Sequence, residues 1–283
     1  MSPLQTRPFG KDGPAVTLVG LGGEGVLRSH GKNARARPVI EEAASQGITY
    51  FDSARAYDES ERYLGRFWEE RPELRPRVFQ TSKTARRDYA GAWADLETSL
   101  KNLHTGYLDL WQIHDLRNEE DLKAVEGPSG ALDAFREARR QGKARHIGVT
   151  GHEDPAILTH AVENWPLDSV LLPVNPVEGV LGGFLDGTLP AARERGIAVI
   201  GMKVLGAGNY LAPSGGISAE LLIRYALSWP VTLVIVGCSL PLEVLTLASL
   251  GRDFTPLPES DRRRLEERFA PYARDLAFYR GRI

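Results

Sequence analysis

Several polar side chains that could act together in catalysis follow short apolar runs of the chain. They are Asp52, Tyr57, Lys83 and His114. A phenol is too weak an acid at neutral pH unless a neighbour stabilises the phenolate. A lysine ammonium does so and lowers the phenol pKa, and a carboxylate keeps that ammonium charged and oriented. A neutral imidazole can orient a substrate carbonyl by hydrogen bonding. Tyr57 could then donate a proton to a developing alkoxide, as carbonyl reduction requires when a cofactor supplies the hydride.

Each of these residues also has an ordinary structural explanation when it is taken alone. Asp52 could cap a helix and Tyr57 could be a packed aromatic ring. Lys83 could be an ion-pair partner, and His114 a hydrogen-bonded structural histidine. Their joint occurrence at successive strand ends favours the chemical interpretation.

The elements that must position these residues alternate along the whole chain. Apolar runs predict strands at 15–19, 48–52, 77–83, 107–113, 144–149, 168–174, 197–202 and 231–236. Amphipathic segments predict helices at 34–46, 59–70, 88–104, 130–141, 155–163, 188–195, 218–228 and 242–250. Most strands are continuous Val, Ile and Leu runs, which is typical of parallel sheets buried on both faces.

Eight strand–helix units without a break in composition predict a (β/α)8 TIM barrel, with a doubly wound sheet as the alternative. We expect a single domain over 1–283, with an extra charged helix at about 259–270. In such barrels the functional residues lie on the loops after the C-terminal strand ends. The side chains of Asp52, Lys83 and His114 should therefore converge at one end of the barrel.

A glycine-rich segment follows the first predicted strand. Residues 20–25 match the G-x-G-x-x-G pattern of dinucleotide-binding folds. That fingerprint requires a helix that opens at the third glycine, so that its amides can bind a pyrophosphate. Residues 26–33 have no apolar stripe, and the helix is predicted only from residue 34. We therefore interpret the glycines as a loop that a ligand approaches closely.

Composition limits the partners and the cellular setting. The formal net charge is −2 and charged residues are spread along the chain, so nothing indicates a nucleic-acid or membrane partner. Residues 1–13 lack the apolar core of a signal peptide, so we expect a cytoplasmic location. Cys238 is the only cysteine, which excludes an internal disulfide and a cysteine-ligated zinc or iron–sulfur site. The oligomeric state is not readable.

Four motifs carry a resemblance to a known family. They are Phe51-Asp52-Ser53-Ala54 with Tyr57, Gln80-Thr81-Ser82-Lys83, Asp109-Leu110-Trp111-Gln112-Ile113-His114, and Gly142-Lys143-Ala144-Arg145-His146-Ile147-Gly148-Val149. Over essentially its full length the chain resembles an aldo-keto reductase, and residues 148–152 and 201–206 resemble a bacterial, mostly uncharacterised branch. The resemblance implies a (β/α)8 barrel that binds NADPH without a Rossmann domain and reduces a small-molecule aldehyde or ketone. It also implies a catalytic tetrad of Asp52, Tyr57, Lys83 and His114, with Tyr57 as the proton donor.

The resemblance also implies a set of cofactor-binding residues. They are Gly22, Asp52, Thr150, Gly151, Asn175, Met202, Lys203, Leu205, Gly206, Gly237 and Ser239. The family usually holds the nicotinamide amide with Ser-Asn and Gln, where this chain has Thr150-Gly151 and Asn175. His152 could replace one lost contact. Met202 stands where an aromatic ring commonly stacks, and Lys203 could reach the pyrophosphate.

The loop after the eighth strand departs from the pattern of NADP-preferring members. Those members carry a basic residue there for the 2′-phosphate, whereas residues 237–243 contain no Lys or Arg. Glu243 would repel a phosphate if its side chain points inward. NADPH remains the expected cofactor, with NADH as an open alternative.

Two other functions remain open. A metal-dependent barrel hydrolase could use His114, Asp115, His146 or His152, but the sequence has no His-x-His pair and His146 opens its strand at the wrong barrel end. No metal ligand is therefore expected. A redox-sensing subunit with little turnover would keep the tetrad.

Substrate specificity should come from the loops at 21–32, 116–128 and 177–187 and from the C-terminal tail. Trp111 and Tyr210 could line the pocket or belong to the core.

Overall fold

A closed barrel of parallel strands forms the centre of the computed structural model, which describes residues 2–281. A short antiparallel hairpin, β1 (Thr6–Pro8) and β2 (Ala15–Thr17), precedes the barrel. The barrel strands are β3 (Val19–Gly25), β4 (Tyr50–Phe51), β5 (Phe79–Thr84), β6 (Leu108–Ile113), β7 (Ala144–Thr150), β8 (Ser169–Pro173), β9 (Ala198–Met202) and β10 (Leu233–Cys238). They pair in chain order, and β10 closes the barrel against β3. This confirms the predicted (β/α)8 fold.

The helices form the outer layer. They are α1 (Asn33–Ser45), α2 (Ser60–Glu70), α3 (Tyr89–Asn102), α4 (Glu119–Glu126), α5 (Ala131–Arg140), α6 (Pro155–Asn164), α7 (Pro176–Leu181), α8 (Leu189–Glu194), α9 (Ala219–Leu227), α10 (Pro241–Arg252), α11 (Glu259–Phe269) and α12 (Ala273–Leu276). The sequence pattern placed the principal helices to within a residue or two and missed α4, α7 and α12. Within residues 2–281, no helix combines the length and apolar character needed to cross a membrane.

The interpretation of the glycine-rich segment as a loop is wrong. Residues 15–17 belong to the N-terminal hairpin, and the glycines themselves form the first barrel strand, β3. A Cβ atom on Gly22 would lie 2.8 Å from the backbone nitrogen of Gly237, and one on Gly23 would lie 2.7 Å from Cδ2 of Tyr57. Only glycine permits these approaches. Glycine is depleted in strands generally, so this segment carries no strand signal in the sequence.

The N-terminal hairpin lies against the lower end of the barrel. Phe9 lies in the turn between β1 and β2, and its ring packs against Phe79 at a centroid distance of 4.6 Å and against His146 at 5.4 Å. His146 therefore lies near the amino end of β7, far from the C-terminal strand ends, as its position in the sequence predicted.

Two aromatic residues whose location was open are core residues. Trp111 is fully buried and stacks on Phe135 of α5, with ring centroids 3.7 Å apart. Tyr210 is also buried, and its hydroxyl donates to the carbonyl oxygen of Leu276 at 3.1 Å. Neither ring lines the cavity at the C-terminal end of the barrel.

Candidate active site

A cavity of about 520 Å³ opens at the C-terminal ends of the barrel strands. Asp52, Tyr57 and His114 line it, and the fully buried Lys83 lies directly behind Asp52. A second depression, of about 700 Å³, lies near the hairpin around Arg7 and contains none of the predicted catalytic residues. The structure thus brings the four predicted residues together at a single cavity.

The backbone that follows β4 places Tyr57 over the cavity floor. Asp52 continues the strand, since its amide donates to the carbonyl oxygen of Leu21 at 2.9 Å. A turn follows in which the amide of Tyr57 donates to the carbonyl oxygen of Ala54 at 3.1 Å, and α2 begins shortly after. The phenol ring then lies against Gly23 of β3. The glycine strand is therefore what makes room for the tyrosine.

Lys83 and Asp52 form a fully buried ion pair. The ammonium nitrogen lies 2.7 Å and 2.6 Å from the two carboxylate oxygens of Asp52, and it donates to the carbonyl oxygen of Ser53 at 2.8 Å. An ammonium has three hydrogens, so these acceptors can use all of them. Burial lowers the pKa of Lys83, and the charge of Asp52 opposes that effect.

The expected lowering of the Tyr57 pKa is not what this structure produces. Burial raises the pKa of Tyr57 well above its usual value, Asp52 and Glu24 raise it further, and Arg28 opposes the rise. The ammonium of Lys83 is 4.7 Å from the centre of the phenol ring, and its hydrogen bonds go to Asp52 and Ser53. It therefore acts on the ring as a nearby positive charge and not as a hydrogen-bond donor to the hydroxyl.

His114 completes the group from the end of β6. Its ring packs edge to face with Tyr57 at a centroid distance of 5.4 Å. Burial lowers the pKa of His114 well below its usual value, and the positive charge of Lys83 lowers it further. The imidazole is therefore neutral near pH 7, which is the form that the sequence analysis expected to orient a carbonyl.

Most residues expected to bind the cofactor line the cavity. They are Gly22, Asp52, Thr150, Met202, Lys203, Leu205 and Gly237. The hydroxyl oxygen of Thr150 accepts from the amide of Asp115 at 2.8 Å. That bond uses an oxygen lone pair, and within residues 2–281 the hydroxyl hydrogen has no protein acceptor, so it is available to a ligand.

The other expected cofactor residues do not line the cavity. They are Gly151, Asn175, Gly206 and Ser239. Asn175 is fully buried and caps α7, since its Oδ1 accepts from the amide of Glu178 at 3.1 Å. Its Nδ2 donates to the carbonyl oxygen of Lys203 at 3.1 Å and to the hydroxyl of Tyr279 at 3.0 Å. Both the amide oxygen and the amide nitrogen of Asn175 thus have hydrogen-bond partners within the protein.

Glu243 lies at the first turn of α10. Its carboxylate accepts from the amide of Ser239 at 2.6 Å and from that of Leu240 at 3.3 Å. The carboxylate therefore occupies amide donors at this helix start that an anion would otherwise contact.

His152 joins the cavity wall to the C-terminal tail. Its Nδ1 lies 2.9 Å from the carbonyl oxygen of Tyr279, and its Nε2 lies 3.0 Å from Oδ1 of Asp115. The Nδ1 of His152 is thus used by the tail, and its Nε2 faces the carboxylate of Asp115.

The cavity also contains charged residues that the sequence analysis did not assign. Glu24, Arg28 and Arg117 line it, and the guanidinium carbon of Arg28 lies 5.1 Å from the centre of the Tyr57 ring. Arg28 lies in the segment 21–32, which was expected to contribute to substrate specificity. No sequence motif singles out Arg28 from its neighbours in this segment. Among residues 2–281, no three His, Cys, Asp or Glu side chains converge to form a metal-binding group.

A parallel barrel with a buried ion pair, a tyrosine and a histidine at its C-terminal strand ends has the architecture of a barrel enzyme. Comparison with known proteins identifies its family. The model of the aldo/keto reductase family matches residues 19–215, and the chain belongs to this family.

Curated relatives are distant. The chain is 25% identical to aldo-keto reductase str7 of Strobilurus tenacellus over 222 residues, which are 73% of this chain and 62% of that protein. It is 26% identical to L-galactose dehydrogenase of Arabidopsis thaliana over 219 residues, 74% of this chain and 67% of the relative. Pyridoxal 4-dehydrogenase of Microbacterium luteolum is 27% identical over 260 residues, 75% of this chain and 74% of the relative. The match with the first of these spans less than two thirds of its length.

Solved structures show the same fold. Aldo-keto reductase AKR11C1 of Bacillus halodurans superposes with a TM-score of 0.77 at 19% identity, over 93% of this chain and 96% of that one. An aldo-keto reductase of Klebsiella pneumoniae in complex with NADPH gives a TM-score of 0.76 at 20% identity, over 95% of this chain and 96% of that one.

Proposed function

We propose that this protein reduces an aldehyde or ketone to an alcohol with NADPH as the cofactor and Tyr57 as the general acid. The observation that carries the proposal is the meeting of Tyr57 and His114 in one cavity, above the buried pair of Lys83 and Asp52. Family membership supports the same reaction. The NADPH complex of the Klebsiella pneumoniae relative supports the choice of cofactor.

The residues at the cavity are compatible with an extended dinucleotide. Gly22 and Gly237 lie side by side in its wall, so closely that a Cβ atom on Gly22 would meet the nitrogen of Gly237 at 2.8 Å. This part of the wall is bare backbone, which a ligand can approach closely. Thr150, Met202 and Lys203 would hold the cofactor, through a hydroxyl hydrogen, a thioether surface and a positive charge. NADPH supplies a hydride when it is bound.

The protein's own residues then supply the proton and orient the substrate oxygen that receives it. Tyr57 donates its hydroxyl proton to the carbonyl oxygen as that oxygen becomes an alkoxide. The neutral imidazole of His114 hydrogen-bonds the same oxygen and orients it. Lys83, held by Asp52, keeps a positive charge 4.7 Å from the centre of the phenol ring, which offsets part of the cost of burying the phenolate that remains.

The direct experiment is cofactor consumption by the purified protein against a panel of aldehydes and ketones, with NADPH and NADH in parallel. We expect turnover of at least one reactive aldehyde. Two relatives are named as dehydrogenases, so the matching alcohols should be tested with the oxidised cofactors as well. A protein that binds the cofactor but turns over nothing in either direction would contradict the proposal and favour a redox-sensing role.

A further inference from the structure

Arg28 is a positive charge placed beside the two residues proposed to contact the carbonyl oxygen. It lies on the loop between β3 and α1 and lines the cavity, with its guanidinium carbon 5.1 Å from the centre of the Tyr57 ring. The charge of Arg28 acts on both Tyr57 and His114, since it opposes the rise in the pKa of Tyr57 and contributes to the lowered pKa of His114. A group bound at Arg28 would therefore be a near neighbour of the reacting carbonyl.

Apart from Lys203, two other cations at or beside the cavity, Lys83 and Arg117, are already engaged. Lys83 is bound by Asp52 and Ser53. Arg117 contacts the carboxylate of Asp115 at 2.7 Å and that of Glu153 at 3.2 Å.

Within residues 2–281 Arg28 has one ion-pair partner, Glu24, besides its contact with the face of the Tyr57 ring. Its Nη1 contacts Oε1 of Glu24 at 3.1 Å, and the two side chains are 46% and 43% exposed. Surface ion pairs of this kind contribute little to stability and are easily exchanged. Within residues 2–281 the Nε and Nη2 groups of Arg28 donate no hydrogen bond. A guanidinium with free donors of this geometry is well suited to bind a carboxylate in a bidentate manner.

We propose that Arg28 binds an anionic group, in the simplest case a carboxylate, of the carbonyl substrate. This inference rests on the proposed function of the same cavity. The substrate class is then a small oxo acid, whose carbonyl oxygen lies between Tyr57 and His114 while its carboxylate contacts Arg28. Lys203, on the loop after β9, remains for the cofactor.

The test compares two aldehydes of equal chain length, 4-oxobutanoate and butanal, which differ in the carboxylate. In the wild type we expect kcat/KM for 4-oxobutanoate to exceed that for butanal by about tenfold or more, the value of one charge-assisted hydrogen bond. Arg28→Met should lower this ratio by about the same factor, and Arg28→Lys should restore part of it. Glu24→Gln should raise the ratio, because it removes the carboxylate that competes for the guanidinium.

The control is Arg37→Met, which removes the same charge outside the cavity, where Arg37 pairs with Glu70. It should leave the ratio unchanged. Equal kcat/KM values for the two aldehydes in the wild type, or an unchanged ratio in Arg28→Met, would overturn the inference even if both aldehydes are reduced.

A binding measurement separates this inference from the proposed function. Calorimetric titration with the alcohol product 4-hydroxybutanoate reports on the carboxylate site without turnover. Binding by the wild type that Arg28→Met weakens supports the anion site, even in a protein that reduces neither aldehyde. Binding that is absent, or equal in the two proteins, would overturn it.

Discussion

The ammonium nitrogen of Lys83 lies 2.7 Å and 2.6 Å from the two carboxylate oxygens of Asp52, and both side chains are almost completely buried. Each charge is tolerated in the barrel only because the other is present. The pair therefore links the stability of the fold to the electrostatics of the site.

Removal of one member of this pair should be costly. Lys83→Met leaves the carboxylate of Asp52 buried and uncompensated, so we expect the free energy of unfolding to fall by about 3–5 kcal/mol. Urea denaturation measures this. The double variant Asp52→Asn/Lys83→Met should recover much of the loss, while the exposed Lys101→Met should change stability by less than about 0.5 kcal/mol. Equal effects of Lys83→Met and Lys101→Met would show that the pair is not held as described.

Tyr57 should be required for turnover but not for cofactor binding. Tyr57→Phe removes the proton donor, so we expect kcat to fall by roughly 10²–10⁴-fold with little change in the cofactor dissociation constant. Tyr50→Phe is the matched control, because Tyr50 is also buried in the barrel but does not line the cavity. Full activity of Tyr57→Phe would refute the assignment of the acid.

His114 should make the protein less stable in mild acid. Burial and the charges of Lys83, His152, Arg87 and Arg28 lower its pKa in the folded state. As pH falls below about 6.5, the unfolded chain therefore takes up a proton before the folded protein does, and the free energy of unfolding decreases. We expect a loss of about 1 kcal/mol between pH 7 and pH 5.5.

Denaturant titrations at several pH values measure this loss, and His114→Gln should abolish it. The control is His30→Gln, because the His30 side chain is 85% exposed. This variant should lose as much stability between pH 7 and pH 5.5 as the wild type does. A stability curve that is the same with and without His114 would contradict the prediction.

Cofactor selectivity should be weak. Residues 237–243 contain no Lys or Arg, and the carboxylate of Glu243 occupies the amides of Ser239 and Leu240. We expect the dissociation constants of NADPH and NADH to lie within about tenfold, which is 1.4 kcal/mol. Fluorescence titration measures both constants.

Glu243→Gln should shift this selectivity toward NADPH, because it removes a charge that repels a phosphate. Glu259→Gln, on the exposed face of α11, is the charge-matched control. A preference of about a hundredfold for NADPH in the wild type, or 2.7 kcal/mol, would show that the 2′-phosphate is bound by other residues.

The C-terminal tail should contribute measurably to stability through Tyr279. Its hydroxyl donates to Oε1 of Glu178 at 2.8 Å and accepts from Nδ2 of Asn175 at 3.0 Å, in a buried site. Tyr279→Phe leaves both groups short of a partner, so we expect a loss of about 1–3 kcal/mol in the free energy of unfolding. Tyr272→Phe, whose residue is 61% exposed, should change stability by less than about 0.5 kcal/mol. Similar values for the two variants would mean that the tail is not docked in solution.

Local pattern was sufficient to predict the barrel and the positions of its polar strand ends. Continuous apolar runs and amphipathic segments alternate along the chain, and parallel strands joined in chain order must bring Asp52, Lys83 and His114 to one end. These features depend on neighbours in the sequence, which is why a single sequence reveals them.

Contacts between distant parts of the chain decided the rest. The glycines of β3 form a strand because they pair with β10 and β4, and they must be glycine because Tyr57 and Gly237 approach them closely. The side-chain amide of Asn175 is used within the protein, by Glu178 and Tyr279. The hydrogen bonds of the Lys83 ammonium go to Asp52 and Ser53, so the phenol pKa rises with burial although a cation lies beside the ring. Hydrogen-bond partners and burial are properties of the assembled barrel, and the residue types alone do not specify them.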